Sequence, residues 1–226
     1  MTLSQRVIIK VFTSLTKLLC RIDDTKLARI PDQGPLILVT NHINILEIPI
    51  IYTCLQPRPV TGFVAAHRWE NLWLRWILQS SEAIPVHRGE ADITAMRQAL
   101  KMLNAGYILV IAPEGTRSQH GRLQKAHPGT ILLALHSGAP LLPIVLYGHE
   151  YWLDNLRRFR RTSVQIAIGE LIRLDAHGAK ITRQVRRQMI DEVMYKMSEL
   201  LPPHSRGVYS DLNAATEKYL TTQPNI

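Results

Sequence analysis

Residues 107–113, YILVIAP, are the stretch of this chain that most constrains its fold. The segment is apolar throughout and shows no alternation of polar and apolar residues, which predicts a strand buried on both faces. Strands of this kind are typical of parallel sheets, whose two faces are both covered by helices. We therefore expect further strands and helices to alternate along the chain.

The rest of the chain meets this expectation. Apolar runs with strand character, most of them bounded by turn residues, are residues 34–42, 59–66, 83–89, 140–148 and 163–174. Segments with helical spacing of apolar residues are residues 45–55, 70–81, 91–106, 129–138 and 181–201. The alternation predicts an α/β fold with a mixed central sheet flanked by helices, preceded by an N-terminal amphipathic helical segment. The predicted division is a helical segment at 1–26, an α/β domain at 27–202 and a C-terminal tail at 203–226.

The segment 1–26 combines apolar and basic residues at helical spacing. Its apolar residues share one broad face: Val7, Ile8, Val11, Phe12, Leu15, Leu18, Leu19 and Ile22. Its basic residues lie mostly away from that face: Arg6, Lys10, Lys17 and Arg21. The pattern is compatible with a helix lying in a membrane interface with its cations toward lipid phosphates. A surface helix packed on its own domain is the alternative.

The charge balance narrows the class of partner. The chain has 27 Lys and Arg residues against 18 Asp and Glu residues, a net charge of +9. Such a surface prefers nucleic acid, anionic lipid or a phosphorylated small molecule. The cations are not interleaved with stacking aromatics, so a nucleic-acid-binding protein is the less favoured alternative. Cys20 and Cys54 form no CxxC pair, which argues against a disulfide framework or a Cys-rich zinc site.

His42 and Glu47 lie in the stretch TNHINILEIP, directly after a predicted strand. Residues five apart in one straight helix point about 140° away from each other. The two side chains can meet only if His42 lies in the loop and Glu47 in the first helical turn. The pair would then be a general base and the carboxylate that orients it. Alternatively, Asn44 and Glu47 form a capping box with a structural role.

Three polar clusters follow predicted strands, at the edge of the sheet where loops tend to carry chemistry in α/β folds. They are NHINILE, the basic loop HRG with Arg88, and PEGTRS with Gly115 and Arg117. Gly115 allows a sharp turn, and the Arg117 guanidinium can bind a phosphate group with two hydrogen bonds. One His and one carboxylate are too few ligands for a metal site.

Four stretches, in this order, resemble the glycerophospholipid acyltransferase superfamily: GPLILVTNHINILEIP, GFVAAHRWENLWLRWILQSSEAIPVHRG, IAPEGTRS and APLLPIVLYG. The resemblance implies that His42 is the general base and Glu47 its carboxylate partner. It implies that the acceptor-binding residues are Arg88, Glu114, Gly115, Thr116 and Arg117. It places Pro143 on the acyl-donor side.

The resemblance also implies a function. The expected reaction moves a fatty acyl group from acyl-CoA or acyl-carrier protein to the hydroxyl of a lyso-glycerophospholipid, foremost 1-acyl-glycerol-3-phosphate, giving phosphatidic acid. Another lyso-lipid acceptor or a thioesterase-like hydrolysis are the alternatives. No metal or organic cofactor and no nucleic acid are expected. The expected partners are an anionic membrane surface, the acyl donor and the acceptor, with the protein peripheral or monotopic on the cytoplasmic face of a membrane.

Three residues depart from the family pattern. Glu47 stands where the family usually has Asp, and its extra methylene moves the carboxylate by about 1.5 Å, one carbon–carbon bond. Ala112 replaces the common Phe of the third motif. The second motif often has a Lys near residue 66, where this chain has Ala66. These departures bear mainly on the identity of the acceptor.

Overall fold

The computed structural model describes residues 3–87, 92–118 and 120–223. Its strands are β1 (Cys20–Ile22), β2 (Leu36–Thr40), β3 (Val60–Ala65), β4 (Ile84–Val86), β5 (Ile108–Ile111), β6 (Leu141–Tyr147), β7 (Thr162–Ile168), β8 (Leu171–Leu174) and β9 (Leu220–Gln223). Its α-helices are α1 (Leu3–Leu19), α2 (Glu47–Cys54), α3 (Leu72–Ser80), α4 (Ile93–Asn104), α5 (Gly129–Ser137), α6 (Trp152–Arg157) and α7 (Arg183–Glu199).

The strands form a mixed sheet in the order β1-β7-β6-β2-β5-β3-β4, and β8 and β9 extend it beside β6. Strands β6, β2, β5, β3 and β4 run parallel to one another, whereas β7 runs antiparallel to β6. The predicted α/β fold with a mixed central sheet is confirmed. Because five neighbouring strands are parallel, the loops that leave their carboxyl ends all lie at one edge of the sheet.

The two faces of β2 show how the sheet is buried. Ile37 and Val39 pack into one core with α4, α5 and α7, while Leu36 and Leu38 pack into a second core with α2. All five β2 residues are buried because successive side chains point to opposite faces and helices cover both. The strand is thus fixed from both sides, and the loop that follows it starts from a rigid position.

Residues 163–174 form two strands where the sequence pattern predicts one. Ile168 lies opposite Ile144 of β6, and Ile172 lies opposite Leu141. Between these two pairs the segment advances by four residues, whereas β6 advances by three. One extra residue at the interruption is the geometry of a β-bulge, which a strictly alternating pattern does not reveal. Beyond the bulge, β8 bends away and pairs with β9.

The N-terminal segment differs from the predicted single helix. Helix α1 ends at Leu19, and Cys20–Ile22 pair with β7 instead, so Ile22 does not belong to the helical face. The apolar face also divides in two. Ile8 and Thr16 are buried, whereas a row of exposed apolar residues, which we call the outer stripe, consists of Leu3, Val7, Val11, Leu15 and Leu18. Among the described residues, none of the helices has the length and apolar character needed to cross a membrane.

Residues 203–226 are expected from the sequence to form a C-terminal tail. The described part of this segment packs against α7. The buried Glu192 carboxylate of α7 accepts hydrogen bonds from the backbone N–H groups of Lys218 and Tyr219 and from the Thr216 hydroxyl. These contacts lead the chain into β9, which pairs with β8. Residues up to Gln223 therefore contribute to the sheet.

Candidate active site

The carboxyl ends of three adjacent parallel strands bring the site together. In the order β6, β2 and β5, these strands are followed by His149, His42 and Glu114. Asn41 extends the pairing beyond β2, because its side-chain amide bonds both the N–H and the C=O of Leu146 in β6. This buried amide holds the start of the His42 loop against the neighbouring strand.

His42 and Glu47 are in direct contact. The His42 Nδ1 atom lies 2.6 Å from Glu47 Oε2. His42 lies in the loop and Glu47 is the first residue of α2, as the five-residue spacing requires. The Glu47 side chain is 2% exposed and the His42 side chain 17% exposed. In the described part of the chain, His42 Nε2 has no hydrogen-bond partner, so this nitrogen is free to meet a substrate.

The Glu47 carboxylate also has a structural role. Its Oε1 atom accepts the backbone N–H groups of Ile43 at 2.7 Å and Asn44 at 3.0 Å. The Asn44 side chain accepts the N–H of Leu46, so it forms a turn before the helix and does not cap α2 as predicted. The two interpretations of Glu47 are therefore compatible. Its Oε2 atom contacts His42, and its Oε1 atom bonds the backbone of the loop.

The environment of Glu47 favours its ionised form. Burial raises the pKa of the carboxyl, but hydrogen bonds from His149 and His42 outweigh this effect and hold the pKa below its ordinary value. An ionised Glu47 accepts a hydrogen bond from His42 Nδ1–H. In a neutral imidazole this bond selects the tautomer with Nε2 unprotonated, which is the one that a general base needs.

His149 belongs to the site, although none of the sequence motifs described above predicts it. Its side chain is fully buried, and its Nε2 atom lies 2.7 Å from Glu47 Oε1. The signal was present in YGHEY, a polar cluster directly after the predicted strand 140–148. Only the strand order reveals that this strand lies beside β2.

Glu114 lies inside the protein and bonds the backbone. Its carboxylate accepts the N–H groups of His42 at 3.2 Å and Gln124 at 2.8 Å. Burial raises the pKa of the Glu114 carboxyl to about 7, although the hydrogen bonds from these two N–H groups act to lower it. The Ser118 N–H also donates to the His42 carbonyl at 2.7 Å. The loop after β5 thus holds the His42 backbone from two sides.

The other predicted residues of this loop are exposed. Thr116 and Arg117 lie at the surface, and the structure shows no ion pair for Arg117 within the described ranges. Gly115 has φ of +69°, a conformation that other residues rarely adopt, and a Cβ there would lie 3.3 Å from the His127 ring. A cation at the tip of this loop is available for an anionic ligand.

Of the other predicted site residues, the structure describes Pro143 and does not describe Arg88. Pro143 is buried within β6 opposite Val39, inside the sheet. His87, the residue before Arg88, lies at the end of β4, three strand spacings, about 14 Å, from β2.

Within 3–87, 92–118 and 120–223, no three His, Cys, Asp or Glu side chains are grouped to hold a metal ion. A metal-free mechanism stays a prediction.

A family model described as Acyltransferase matches residues 21–147, more than half of the chain. The chain belongs to this acyltransferase family. The matched range includes every predicted site residue from His42 to Pro143, and it ends two residues before His149. The resemblance drawn from the four motifs is therefore confirmed.

Curated relatives and a solved structure are consistent with this membership. A 1-acyl-sn-glycerol-3-phosphate acyltransferase of Limnanthes douglasii is 35% identical over 137 residues, 58% of this chain and 47% of the relative. One of Pseudomonas aeruginosa is 27% identical over 135 residues, 58% of this chain and 52% of the relative. The chain spans about half the length of the curated relatives it matches.

The fold is shared with a crystal structure of the 1-acyl-sn-glycerophosphate acyltransferase PlsC from Thermotoga maritima. The two structures align with a TM-score of 0.65 at 21% sequence identity, covering 87% of this chain and 78% of the other. At this identity the likeness concerns the fold alone.

Proposed function

We propose that the protein is an O-acyltransferase that transfers a fatty acyl group from an acyl thioester to 1-acyl-glycerol-3-phosphate, giving phosphatidic acid. The observation that carries the proposal is the His42–Glu47 contact at the carboxyl edge of the parallel strands. Family membership and the names of the relatives support the reaction and the acceptor. No metal or organic cofactor takes part in the proposed mechanism.

The proposed chemistry uses the two nitrogens of His42 separately. Nε2 takes the proton of the acceptor hydroxyl as its oxygen attacks the thioester carbonyl. Collapse of the tetrahedral intermediate expels the thiolate, which receives that proton. Ionised Glu47 stabilises the transient imidazolium through Nδ1. No nucleophilic side chain is needed because the acceptor brings its own hydroxyl.

The acceptor phosphate is proposed to bind the exposed loop after β5. Arg117 offers two parallel N–H donors there, and the neighbouring Thr116 hydroxyl adds another. Arg88 is the second proposed phosphate ligand. Glu114 and Gly115 support this loop, since Glu114 holds it to His42 and Gly115 provides its turn.

Replacing Arg117 with alanine is expected to raise the acceptor KM about 10- to 100-fold, with a much smaller change in kcat. The reason is the loss of a charge-assisted hydrogen bond to the phosphate, worth about 1.5–3 kcal/mol. Steady-state kinetics with varied lysophosphatidic acid measure the effect. Arg173→Ala, at an exposed position of β8, is the matched control. An unchanged KM in the Arg117 variant would remove this residue from the acceptor site.

The acyl donor is proposed to be acyl-CoA or acyl-carrier protein. Both present negatively charged surfaces, which the net charge of +9 attracts. Pro143 is proposed to act on the donor side through the shape of β6, because its side chain is buried in that strand. We propose these partners, and not nucleic acid, as the anions that the basic surface meets.

A membrane surface is the proposed location of the acceptor, with the protein bound peripherally or monotopically on the cytoplasmic side. The outer stripe of α1 is apolar and exposed, and Arg6, Lys10 and Lys17 border it on one side at helical spacing. Helix α1 packs against α2, whose first residue is Glu47, and against α3, where Trp73 is 81% exposed. An apolar surface beside the site would bring a lipid acceptor to His42.

The substitution Val11→Glu is expected to weaken binding to anionic vesicles by about tenfold or more, because a charge replaces apolar area in the lipid contact. Val11 is 59% exposed, so the change spares the core. Vesicle co-sedimentation measures the effect. The control is Val208→Glu, at an exposed position beside Tyr209 of the opposite core. Equal binding of both variants would exclude α1 as the lipid contact.

The acyltransferase proposal is tested by incubating the purified protein with labelled acyl-CoA or acyl-carrier protein and a set of lyso-lipids. Mass analysis identifies the product, and phosphatidic acid from lysophosphatidic acid is the expected result. A different acylated lipid would change the acceptor and keep the reaction. Free thiol and fatty acid without an acylated product would indicate a thioesterase.

A further inference from the structure

We propose that His149 is a positioning residue that fixes the Glu47 carboxylate in the orientation in which it contacts His42. The inference rests on the proposed function for its kinetic consequence. His149 enters the site from β6, next to β2 in the sheet. Its ring contacts Glu47 Oε1, the carboxylate oxygen that does not contact His42.

The hydrogen bonds of Glu47 are divided unequally between its two oxygens. Oε1 accepts three donors, which are Ile43 N–H at 2.7 Å, Asn44 N–H at 3.0 Å and His149 Nε2–H at 2.7 Å. Oε2 contacts His42 Nδ1 alone, at 2.6 Å. Three donors saturate Oε1, so the other oxygen is presented to His42 in a single orientation.

The length of the Glu47 side chain is a reason for this restraint. Glu has one more rotatable bond than Asp, and its carboxylate needs an additional contact to hold one orientation. Two of the three donors to Oε1, Ile43 and Asn44, belong to the same loop as His42 and move with it. His149 is the donor that ties Glu47 to the sheet, 102 residues away along the chain.

The surroundings of His149 bear on which of its ring nitrogens donates to Glu47. Its Nδ1 atom is buried and has no hydrogen-bond partner within the described residues. An imidazolium would place an N–H donor there without an acceptor, which costs more than an unpartnered lone pair. The buried, unpartnered Nδ1 therefore favours the Nε2–H tautomer of His149. This tautomer donates to Glu47 without cancelling the negative charge that His42 needs.

The local backbone is built to present His149. Gly148 has φ of +89°, and a Cβ there would lie 2.8 Å from the Ser163 carbonyl oxygen of β7. Only glycine fits at this position without displacing that strand. The His149 carbonyl accepts the Asn44 side-chain amide at 3.0 Å, which joins the loops after β6 and β2.

The test compares two amide variants, His149→Gln and His149→Asn. Gln places an N–H near the position of imidazole Nε2, whereas Asn is too short to reach Glu47. We expect Asn to lower kcat about 10- to 100-fold, the loss of one hydrogen bond to a charged group, with little change in either KM. Gln is expected to recover most of that loss. His136→Asn, at an exposed position of α5, is the control.

Two further measurements separate positioning from mere packing. In a His42→Ala background, His149→Asn is expected to have no additional effect on kcat, because it acts through His42. Imidazole ¹⁵N NMR without substrate should show that His149→Asn weakens the His42 Nδ1–H signal and that Gln retains it. An equal loss in both backgrounds, equal effects of Gln and Asn, or an unchanged His42 signal in His149→Asn would overturn the proposal. A wild type without acyl transfer would overturn the proposed function, while the NMR comparison would still decide the role of His149.

Discussion

Replacing His42 with alanine is expected to lower kcat by about 10³-fold, within the range of about 10²–10⁴ for a general base. In the proposed mechanism, His42 Nε2 takes the acceptor proton, and within the described residues His42 is the one side chain that contacts Glu47 Oε2. The acceptor KM should change little, because Arg117 binds the phosphate in the proposed complex. Single-turnover acyl transfer measures the chemical step directly.

The matched control for this variant is His136→Ala. His136 lies in the last turn of α5, just before the amino end of β6, and therefore at the opposite edge of the sheet from the site. Both variants should have the same far-UV circular dichroism as the wild type. If the His42 variant retained near-normal turnover, His42 would not be the base.

Replacing Glu47 with glutamine is the second change with a large expected effect, a fall in kcat of about 10³- to 10⁴-fold. Three donors hold Oε1, so the amide oxygen takes that position and the new –NH₂ group faces His42. His42 Nδ1 must then accept a hydrogen bond, which moves its proton to Nε2. That tautomer cannot take a proton from the acceptor, as in Ser-His-Asp enzymes whose Asp is changed to Asn.

The control for this change is Glu170→Gln, at the exposed interruption between β7 and β8. Because β7 is antiparallel to β6, Glu170 lies at the edge remote from His42. The kcat of each variant and the ¹⁵N NMR tautomer of His42 are the two measurements. Normal turnover in Glu47→Gln, or an unchanged tautomer, would show that the carboxylate does not set the state of the base.

Much of the fold follows from local patterns in the sequence. Segments such as 107–113 and 140–148 predict strands because a fully apolar run needs cover on both faces, and this requirement is local. The errors occur where pairing between distant segments decides the structure. Cys20–Ile22 continue the apolar spacing of α1, yet they form β1 because the backbone of β7 is available beside them. The bulge between β7 and β8 also depends on distant pairing, because the extra residue is recognised only by comparison with the residues of β6 opposite it.

The candidate site shows the same division. The five-residue spacing of His42 and Glu47 predicts that the pair meets across a loop and a helix start, and the structure places it there. The sequence also marks Glu114 as a site residue by resemblance. It does not show that its carboxylate bonds the His42 backbone, because that contact joins two loops 72 residues apart.

By itself, the sequence determined the α/β class, the family and the His42–Glu47 pair, because each depends on residues close together in the chain. Only the tertiary structure decided how that pair is held. The parallel order of β6, β2 and β5 places His149 and Glu114 on either side of the His42 loop. Strand order depends on the packing of side chains far apart in sequence, so no local pattern specifies that a second histidine fixes the carboxylate that orients the first.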